Sequence, residues 1–244
     1  MGVKYSVDSK FFKSWDKKMA YLLGFIYADG SIYPSGRGSY LSVTSTDRHI
    51  IYKIKKWLSS GHTISRTPSI WPNGKLRFGI RIGNKDLYNS LIKLGLYPNK
   101  AKTIGMPAIP NKFLKDFVRG YFDGDGCVHL YRSKGIRQKT ILRKLSVIFT
   151  SGSKKFLENL LRDLRKNMPL KQTKIYRSHR SFQLRLATRD SVEIFKFMYR
   201  NRNQDLFFVR KFKVFRRYFE LRHQRVDNTV RNILQCSGGG HVAK

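Results

Sequence analysis

Apolar and polar residues alternate along two separate stretches of the chain, a period of two that indicates β-strands. In the first stretch, apolar positions alternate with basic residues or glycine over Lys75, Leu76, Arg77, Phe78, Gly79, Ile80, Arg81 and Ile82. In the second stretch, the alternation covers Phe182, Gln183, Leu184, Arg185, Leu186 and Ala187. Because successive strand side chains point to opposite faces, each stretch predicts a sheet with one face on a core and the other exposed.

Helical spacing marks the segments between the strands. Asp47 is a suitable N-cap for a helix whose apolar positions share one face: Ile50, Ile51, Ile54, Trp57 and Leu58. For the first half, the pattern predicts helices near 16–29, 47–59 and 85–95, and strands near 31–34, 39–46, 62–67 and 75–83. For the second half, it predicts helices near 112–125, 153–166 and 190–200, and strands near 127–132, 140–150, 173–178 and 181–188. A last helix near 205–222 carries a stripe typical of a core: Phe208, Phe212, Phe215 and Phe219.

The two halves repeat one another. LLGFIYADG at 22–30 is matched by VRGYFDGDG at 118–126, 96 positions later. Further on, LSV at 41–43 recurs at 145–147 and RIGNKD at 81–86 recurs as RLATRD at 185–190, both 104 positions later. This difference places an eight-residue insertion in the basic loop 132–144. The matched segments follow one another in the same order in both halves, which indicates a duplicated fold. It predicts an N-terminal half at 1–97, a proline-containing linker at 98–110, a C-terminal half at 111–222 and a disordered tail at 223–244.

The repeated phrase ends each predicted helix on an aspartate. Gly24 with Ala28, and Gly120 with Gly124, form flat stripes along which two helices could pack with their backbones close together. Asp29 and Asp125 follow at the helix C-termini, next to glycines suited to a left-handed cap. The helix dipole disfavours a carboxylate at that end, so two such groups side by side favour a bound cation. A hard, oxygen-preferring ion such as Mg²⁺ fits best.

The charge balance points to a polyanionic partner. The chain has 244 residues, 50 Lys and Arg against 15 Asp and Glu, and a formal net charge of +35. Nucleic acid is the best match for this charge. The alternatives are a membrane surface, disfavoured because no apolar run reaches spanning length and no signal peptide is evident, and a basic ribosomal or packaging protein.

The cysteines and histidines restrict the possible chemistry. The two cysteines form no CxxC pair, which disfavours zinc fingers and a disulfide framework and favours a reducing, intracellular compartment in the cytoplasm or an organelle. The six histidines are scattered along the chain, which disfavours a histidine-metal nuclease.

The polar faces of the predicted strands are basic and lack acids. Arginine and lysine pair with guanine, and glutamine with adenine, in the DNA major groove. An ordinary solvated sheet face is the alternative interpretation. The candidate DNA-binding residues are Ser42, Thr44, Lys75, Arg77, Arg81, His129, Tyr131, Lys174, Gln183 and Arg185.

The two phrases YLLGFIYADGSI and FVRGYFDGDGCV, together with STD at 45–47, resemble the LAGLIDADG homing endonucleases in their single-chain, two-motif form. The resemblance covers roughly residues 10–222. It implies an α+β fold of two pseudo-symmetric αββαββα halves, packed through their motif helices, with antiparallel sheets that form a saddle over DNA. It also implies a monomer that makes a metal-dependent double-strand break with 3′ overhangs at a long, specific site.

The resemblance also implies roles for individual residues. Asp29 and Asp125 would be the catalytic metal ligands for two or three Mg²⁺ ions; a backbone ligand at position 28 is left open. Ca²⁺ is expected to bind without supporting cleavage. A basic residue is expected near each scissile phosphate: Lys100 or Lys102 in the first half, with Lys102 preferred, and Arg210 or Lys211 in the second, with Lys211 preferred. Tyr27 and Asp123 would be structural or would support the ligands.

Two other functions stay open beside the endonuclease. Some proteins of this family assist the splicing of their own intron RNA, and the basic loop 132–144 could serve such a maturase. Others are inactive DNA-binding regulators, although both aspartates are retained here. A nuclease borne by an intein is disfavoured because no splicing block flanks the two halves.

Overall fold

Helices and strands alternate in the same order in both halves of the chain. The computed structural model describes residues 5–36, 38–69, 74–134, 141–171, 173–201, 206–222 and 226–235. The first elements are α1 (Lys17–Asp29), β1 (Gly30–Ser35), β2 (Gly38–Ser45), α2 (Arg48–Trp57), β3 (Ile64–Thr67), β4 (Arg77–Gly83) and α3 (Lys85–Lys93). After a 3-10 turn at Lys100–Lys102 come α4 (Asn111–Asp125), β5 (Gly126–Lys134), β6 (Ile141–Ser151), α5 (Lys154–Asn167), β7 (Lys174–Ser178), β8 (Ser181–Leu186), α6 (Thr188–Tyr199), α7 (Val209–Glu220) and α8 (Asn228–Gln235).

The chain divides into two compact units, Met1–Gly124 and Asp125–Lys244. This boundary lies near the end of α4 rather than in the linker 98–110 that the repeat suggests. All but the last residue of α4 therefore belongs to the first unit, because the helix packs against α1.

The first unit contains an antiparallel sheet with strand order β1-β2-β4-β3. One face is buried under α2 and α3. The alternation in the sequence creates this face, since its side chains come from every second position of the strands. They are Ile32, Leu41, Val43, Ile80 and Ile82.

The second unit repeats this sheet, with strand order β5-β6-β8-β7. Helices α5, α6 and α7 pack on it. Its buried positions are Leu145, Val147, Phe149, Leu184 and Leu186. The phenylalanine stripe of α7 packs against Phe195 of α6, which confirms that the stripe is core.

Polar caps fix where the surface helices begin. The Asp47 side chain accepts a hydrogen bond from the His49 N–H at the start of α2. Ser153 does the same for the Phe156 N–H at the start of α5. These two caps occupy equivalent places in the repeat and satisfy backbone donors that the first helical turn leaves unpaired.

The strand register corrects one part of the repeat alignment. Gly30 pairs with Val43, and Gly126 pairs with Phe149. The counterpart of Val43 is therefore Phe149, 106 positions later, and not Val147, 104 positions later. A shift by two leaves every side chain on the same sheet face, so the alternation alone could not detect it. The β5–β6 hairpin thus holds ten extra residues, and the β6-to-β8 segment is two residues shorter than its counterpart.

A helix lies in the segment predicted to be a disordered tail. Residues 228–235 form α8, where Val230 and Ile233 are buried and the helix contacts α6. Asp227, just before α8, forms an ion pair with Lys196 of α6 at 2.7 Å. The expectation of disorder is therefore wrong for this helix. The helix has only eight residues, so its apolar pattern is too short to distinguish it from a polar tail in the sequence. Residues 236–244 lie outside the described part of the chain.

Candidate active site and nucleic-acid interface

The two motif helices touch through their glycines. A Cβ placed on Gly24 would overlap the Phe117 carbonyl oxygen, and one on Gly120 would overlap the Tyr21 carbonyl oxygen. A Cβ on Gly124 would collide with the Ala28 side chain and lie 3.4 Å from Asp29 Oδ2. The small-residue stripes therefore allow α1 and α4 to meet backbone to backbone, as their spacing predicts.

A buried polar network accompanies this helix contact. The Tyr21 hydroxyl donates a 2.7 Å hydrogen bond to Asp123 Oδ2, and both residues are almost fully buried. Arg119 forms a buried ion pair with Asp116 one turn earlier on α4, and its guanidinium carbon lies 5.9 Å from the Tyr21 ring centre. Burying these charges is tolerable only because they are paired. Asp123 is thus positioned to join the helices rather than to meet a ligand.

Tyr27 occupies the equivalent place on α1. Its hydroxyl donates a 2.7 Å hydrogen bond to the Leu94 carbonyl oxygen. Burial, with a smaller contribution from Tyr97, raises the pKa of Tyr27 above its usual value. The phenol therefore stays protonated as a structural donor.

Asp29 and Asp125 are the last residues of α1 and α4, and both are exposed. The last turn of either helix, both fully described, contains no basic residue. Each carboxylate therefore lies at the negative end of its helix, with no basic residue in the same turn. A carboxylate in that position is stabilised by nearby positive charge.

The glycine after Asp29 serves a different purpose from the one its position suggests. Gly30 has φ −93° and ψ 155°, which is extended backbone, and its N–H donates to the Ile26 carbonyl oxygen. The expected left-handed cap is therefore wrong, because β1 begins directly at this residue. Glycine fits here because a Cβ would lie 2.7 Å from Ile26 Cγ2 and 2.8 Å from the Ile26 carbonyl oxygen.

One buried lysine is held against the backbone beside each acid. Lys100, 9% exposed, donates a 2.9 Å hydrogen bond from Nζ to the Tyr27 carbonyl oxygen. Lys211, 5% exposed, donates from Nζ to the Gly126 carbonyl oxygen. Lys102 and Arg210 are exposed. The geometry therefore favours Lys100 over the preferred Lys102 in the first half, and Lys211 over Arg210 in the second.

The outward face of the first sheet carries an arginine on an aromatic platform. The Arg81 guanidinium carbon lies 4.0 Å from the Tyr40 ring centre and 5.4 Å from that of Tyr33, and the two rings stack. Arg81 pairs in register with Ser42, which shares this outward face. The other predicted DNA contacts of this half are exposed: Thr44, Lys75 and Arg77.

The second sheet carries its arginine differently. Arg185 donates from Nε and Nη2 to Gln183 Oε1, at 2.9 and 2.7 Å, and lies 5.4 Å from the Tyr176 ring centre. Lys174 pairs in register with Arg185 and is exposed.

His129 and Tyr131 are exposed on β5 of the second sheet. His129 Nε2 lies 3.2 Å from Cys127 Sγ on the same strand. Burial raises the pKa of the Cys127 thiol, against the opposing effects of Lys211 and Arg185.

Sequence reasoning missed the tyrosines that hold the two arginines: Tyr33, Tyr40 and Tyr176. Their signal was present, since each occupies an outward position of a predicted strand, but the cross-strand partner is known only once the register is fixed. Within the strands that the structure describes, no Asp or Glu occurs.

Two kinds of feature are absent from the described residues. No group of three or more His, Cys, Asp or Glu side chains is placed to hold a metal ion. Nor does this part of the chain contain a helix of the length and hydrophobicity that crossing a membrane requires.

Several solved structures with the same fold are meganucleases. I-SmaMI bound to uncleaveable DNA is 13% identical, with a TM-score of 0.58 over 88% of this chain and 94% of that one. I-AabMI bound to uncleaved DNA is 14% identical, with a TM-score of 0.57 over 94% and 100%. The I-LtrWI homing endonuclease bound to target DNA is 11% identical, with a TM-score of 0.60 over 96% and 99%. These likenesses confirm the predicted α+β fold with two repeated halves.

Sequence comparison gives the family. A probable translation initiation factor IF-2 from Thermococcus kodakarensis is 30% identical over 142 residues, but this match spans only 11% of that protein. The family model described as a LAGLIDADG-like domain matches residues 16–87 and 112–197, one segment for each repeat. With two matched segments and the fold of two-motif meganucleases, the chain belongs to the LAGLIDADG family.

Proposed function

We propose that this protein is a site-specific DNA endonuclease that makes a double-strand break in a long target. The observation that carries the proposal is a constellation present once in each half. An exposed aspartate ends the motif helix, Asp29 or Asp125, and a buried lysine, Lys100 or Lys211, is bound to the adjoining backbone. Two equivalent sets of groups suit a reaction that must be carried out twice, once on each strand.

The aspartates suit a hard divalent cation. Both are exposed carboxylates, and neither helix supplies a cation in its last turn. Asp29 and Asp125 would hold Mg²⁺, with water and phosphate oxygens as further ligands. When bound, the metal would activate water and stabilise the leaving oxygen. One related structure, I-SmaMI, is bound to uncleaved DNA in the presence of calcium ions, which supports Ca²⁺ as a probe of binding.

The buried lysines would supply fixed positive charge. Each donates from Nζ to a backbone carbonyl oxygen, which fixes the position of its ammonium group. In a site with little water, such a charge stabilises a phosphate in the transition state far more than it would in bulk solvent. Lys100 and Lys211 are therefore the basic residues proposed to lie near the scissile phosphates.

Double-stranded DNA is the proposed substrate. The net charge of +35 and the acid-free strands support a polyanion that lies along the sheets. The likeness to meganucleases crystallised with DNA supports the same class of ligand. We further propose that the chain acts as a monomer, leaves 3′ overhangs and serves intron homing, as its family resemblance implies.

The test is selection of a duplex from a randomised library, followed by cleavage of that duplex with Mg²⁺. Asp29→Asn and Asp125→Asn should each abolish double-strand cleavage while leaving binding in Ca²⁺ and thermal stability unchanged. Asp86→Asn, on the exposed first turn of α3, is the matched control and should cut normally. Cleavage by both test variants at close to the wild-type rate would refute the assignment.

The same assay tests the two other hypotheses, an inactive DNA-binding regulator and a maturase. An inactive regulator would bind the selected duplex and leave it intact with Mg²⁺. A maturase would bind its intron RNA in preference to that duplex. Residues 135–140 of the basic loop considered for an RNA role lie outside the described residues.

A further inference from the structure

Gln183 and Arg185 form a single hydrogen-bonded unit on the outward face of β8. They are two residues apart on one strand, so their side chains project on the same side. Arg185 donates twice to Gln183 Oε1, at 2.9 Å from Nε and 2.7 Å from Nη2. A guanidinium has donors only, so the amide must turn its oxygen, not its nitrogen, toward Arg185.

This contact changes what Gln183 can offer to DNA. Its amide oxygen has two lone pairs, and both are occupied by Arg185. Glutamine recognises adenine by accepting from N6–H and donating to N7, and that mode needs the amide oxygen. Gln183 in this arrangement keeps only its amide N–H donors.

The unit as a whole therefore presents donors without acceptors. The two N–H of Nη1 and one of Nη2 stay available on Arg185, beside the two on Gln183 Nε2. Guanine presents two acceptors in the major groove, O6 and N7, whereas adenine and cytosine both present a donor there. Opposite adenine or cytosine, a surface that carries only donors faces another N–H donor, with which it cannot pair. Opposite guanine, it faces two acceptors, O6 and N7.

We propose that Gln183 and Arg185 act together as one guanine-recognising unit in the second half of the target, with Gln183 positioning Arg185 rather than recognising adenine itself. This inference rests on the DNA binding that the proposed function includes, and it specifies the base preference of that binding.

The first half lacks an equivalent unit, which makes the inference specific. Arg81 corresponds to Arg185 in the repeat, but Gly79 stands where Gln183 would be. Arg81 lies instead over the Tyr40 ring at 4.0 Å, and no side-chain acceptor among the described residues holds its guanidinium plane. Only the second sheet, among the described residues, therefore pairs its arginine with a glutamine.

The test compares base preference in single and double variants of the full chain. The selected duplex is mutated at each base pair of the half contacted by the second sheet, and affinities are measured by competition in Ca²⁺. Arg185→Ala should lower the preference for guanine at one base pair by about 5- to 150-fold. Gln183→Ala should lower it at that same base pair, and the double variant should lose no more than Arg185→Ala alone.

Two further variants separate positioning from general binding. Gln183→Glu keeps an acceptor for Arg185 and should retain the guanine preference while weakening affinity for all duplexes. Lys174→Ala, beside Arg185 on β7, should weaken all sequences alike, as expected of a phosphate contact.

The outcomes are distinct. If Gln183→Ala relaxes a preference for adenine at another base pair, or if the two losses add, the inference is refuted while the endonuclease proposal stands. A library from which no duplex is enriched would overturn both. A duplex that is enriched, shows the shared guanine position and stays uncut with Mg²⁺ would support this inference and refute the nuclease proposal alone.

Discussion

Substitution of Gly120 by alanine tests how closely the motif helices must approach. A Cβ at this position would overlap the Tyr21 carbonyl oxygen and lie 2.9 Å from the Tyr21 carbonyl carbon and 3.1 Å from the Phe25 nitrogen. All three atoms belong to the backbone of α1. No rotamer change can relieve the overlap, so the two helices must separate.

The magnitude follows from two opposing effects. Alanine in place of glycine favours a helix interior by about 1 kcal/mol. Overpacking costs about 1–3 kcal/mol, occasionally more, and rigid backbone on the opposing side places this case at or above the upper end. We therefore expect a net loss of about 2 kcal/mol in the free energy of unfolding. For a chain of this size, that loss lowers the Tm by about 4–8 °C.

The assay is thermal unfolding followed by circular dichroism, with Gly105→Ala as the matched control. A Cβ on Gly105 would have no atom within 4 Å. That variant should unfold at the wild-type temperature or slightly above it, since alanine restricts the unfolded chain. If Gly120→Ala were as stable as Gly105→Ala, the helices would not be in backbone contact and the reasoning would fail.

Three further predictions concern catalysis, pH and salt. Lys100→Met should slow cleavage by about 100-fold or more without loss of DNA binding, whereas Lys102→Met should cut normally. If the two variants cut at equal rates in single-turnover assays, Lys100 would not be the basic residue near the phosphate. Although burial raises the pKa of Asp227, the hydrogen bond and charge of Lys196 and the backbone hydrogen bonds from Val230 and Thr229 together outweigh it, so the pKa lies below the usual 3.8. The pair therefore anchors α8 above that pH and releases it as the pH falls through the lower value, which hydrogen exchange of the α8 amides would detect; unchanged protection in Asp227→Asn at pH 7 would contradict this. DNA affinity should fall steeply with salt, with a log–log slope of about −0.9 per phosphate contacted, and a flat dependence would argue against backbone binding.

Much of the fold follows from local pattern. The alternation around Ile80 and Leu184 gave both central strands and their buried faces, because a period of two is the direct signature of a half-buried strand. The glycine spacing around Gly24 and Gly120 gave the helix contact, because only small residues permit it.

Other features depend on long-range geometry, which the local sequence pattern does not contain. The two-residue shift between Val147 and Phe149 is invisible to alternation and set by the length of the β5–β6 hairpin. Lys100 and Lys102 lie in the same short turn, and only the path of the chain determines which one turns inward. The Gln183–Arg185 contact follows from side-chain orientations that residue type leaves open.

Because α4 packs against α1, the boundary between the two sequence repeats and the boundary between the two compact units lie at different places in the chain. By sequence, α4 opens the second repeat, yet its residues through Gly124 cohere with the first unit. Scission of the polypeptide at 98–110 would leave an upstream fragment with the Gly24 groove of α1 bare, from a helix otherwise buried from Met19 to Tyr27. Such a fragment would have to recruit a substitute helix, from a second copy of itself or from the severed piece. Because α4 is covalently joined to the first half, it is present beside α1 at a high local concentration. Two separately encoded halves would have to dimerise to cover the same groove.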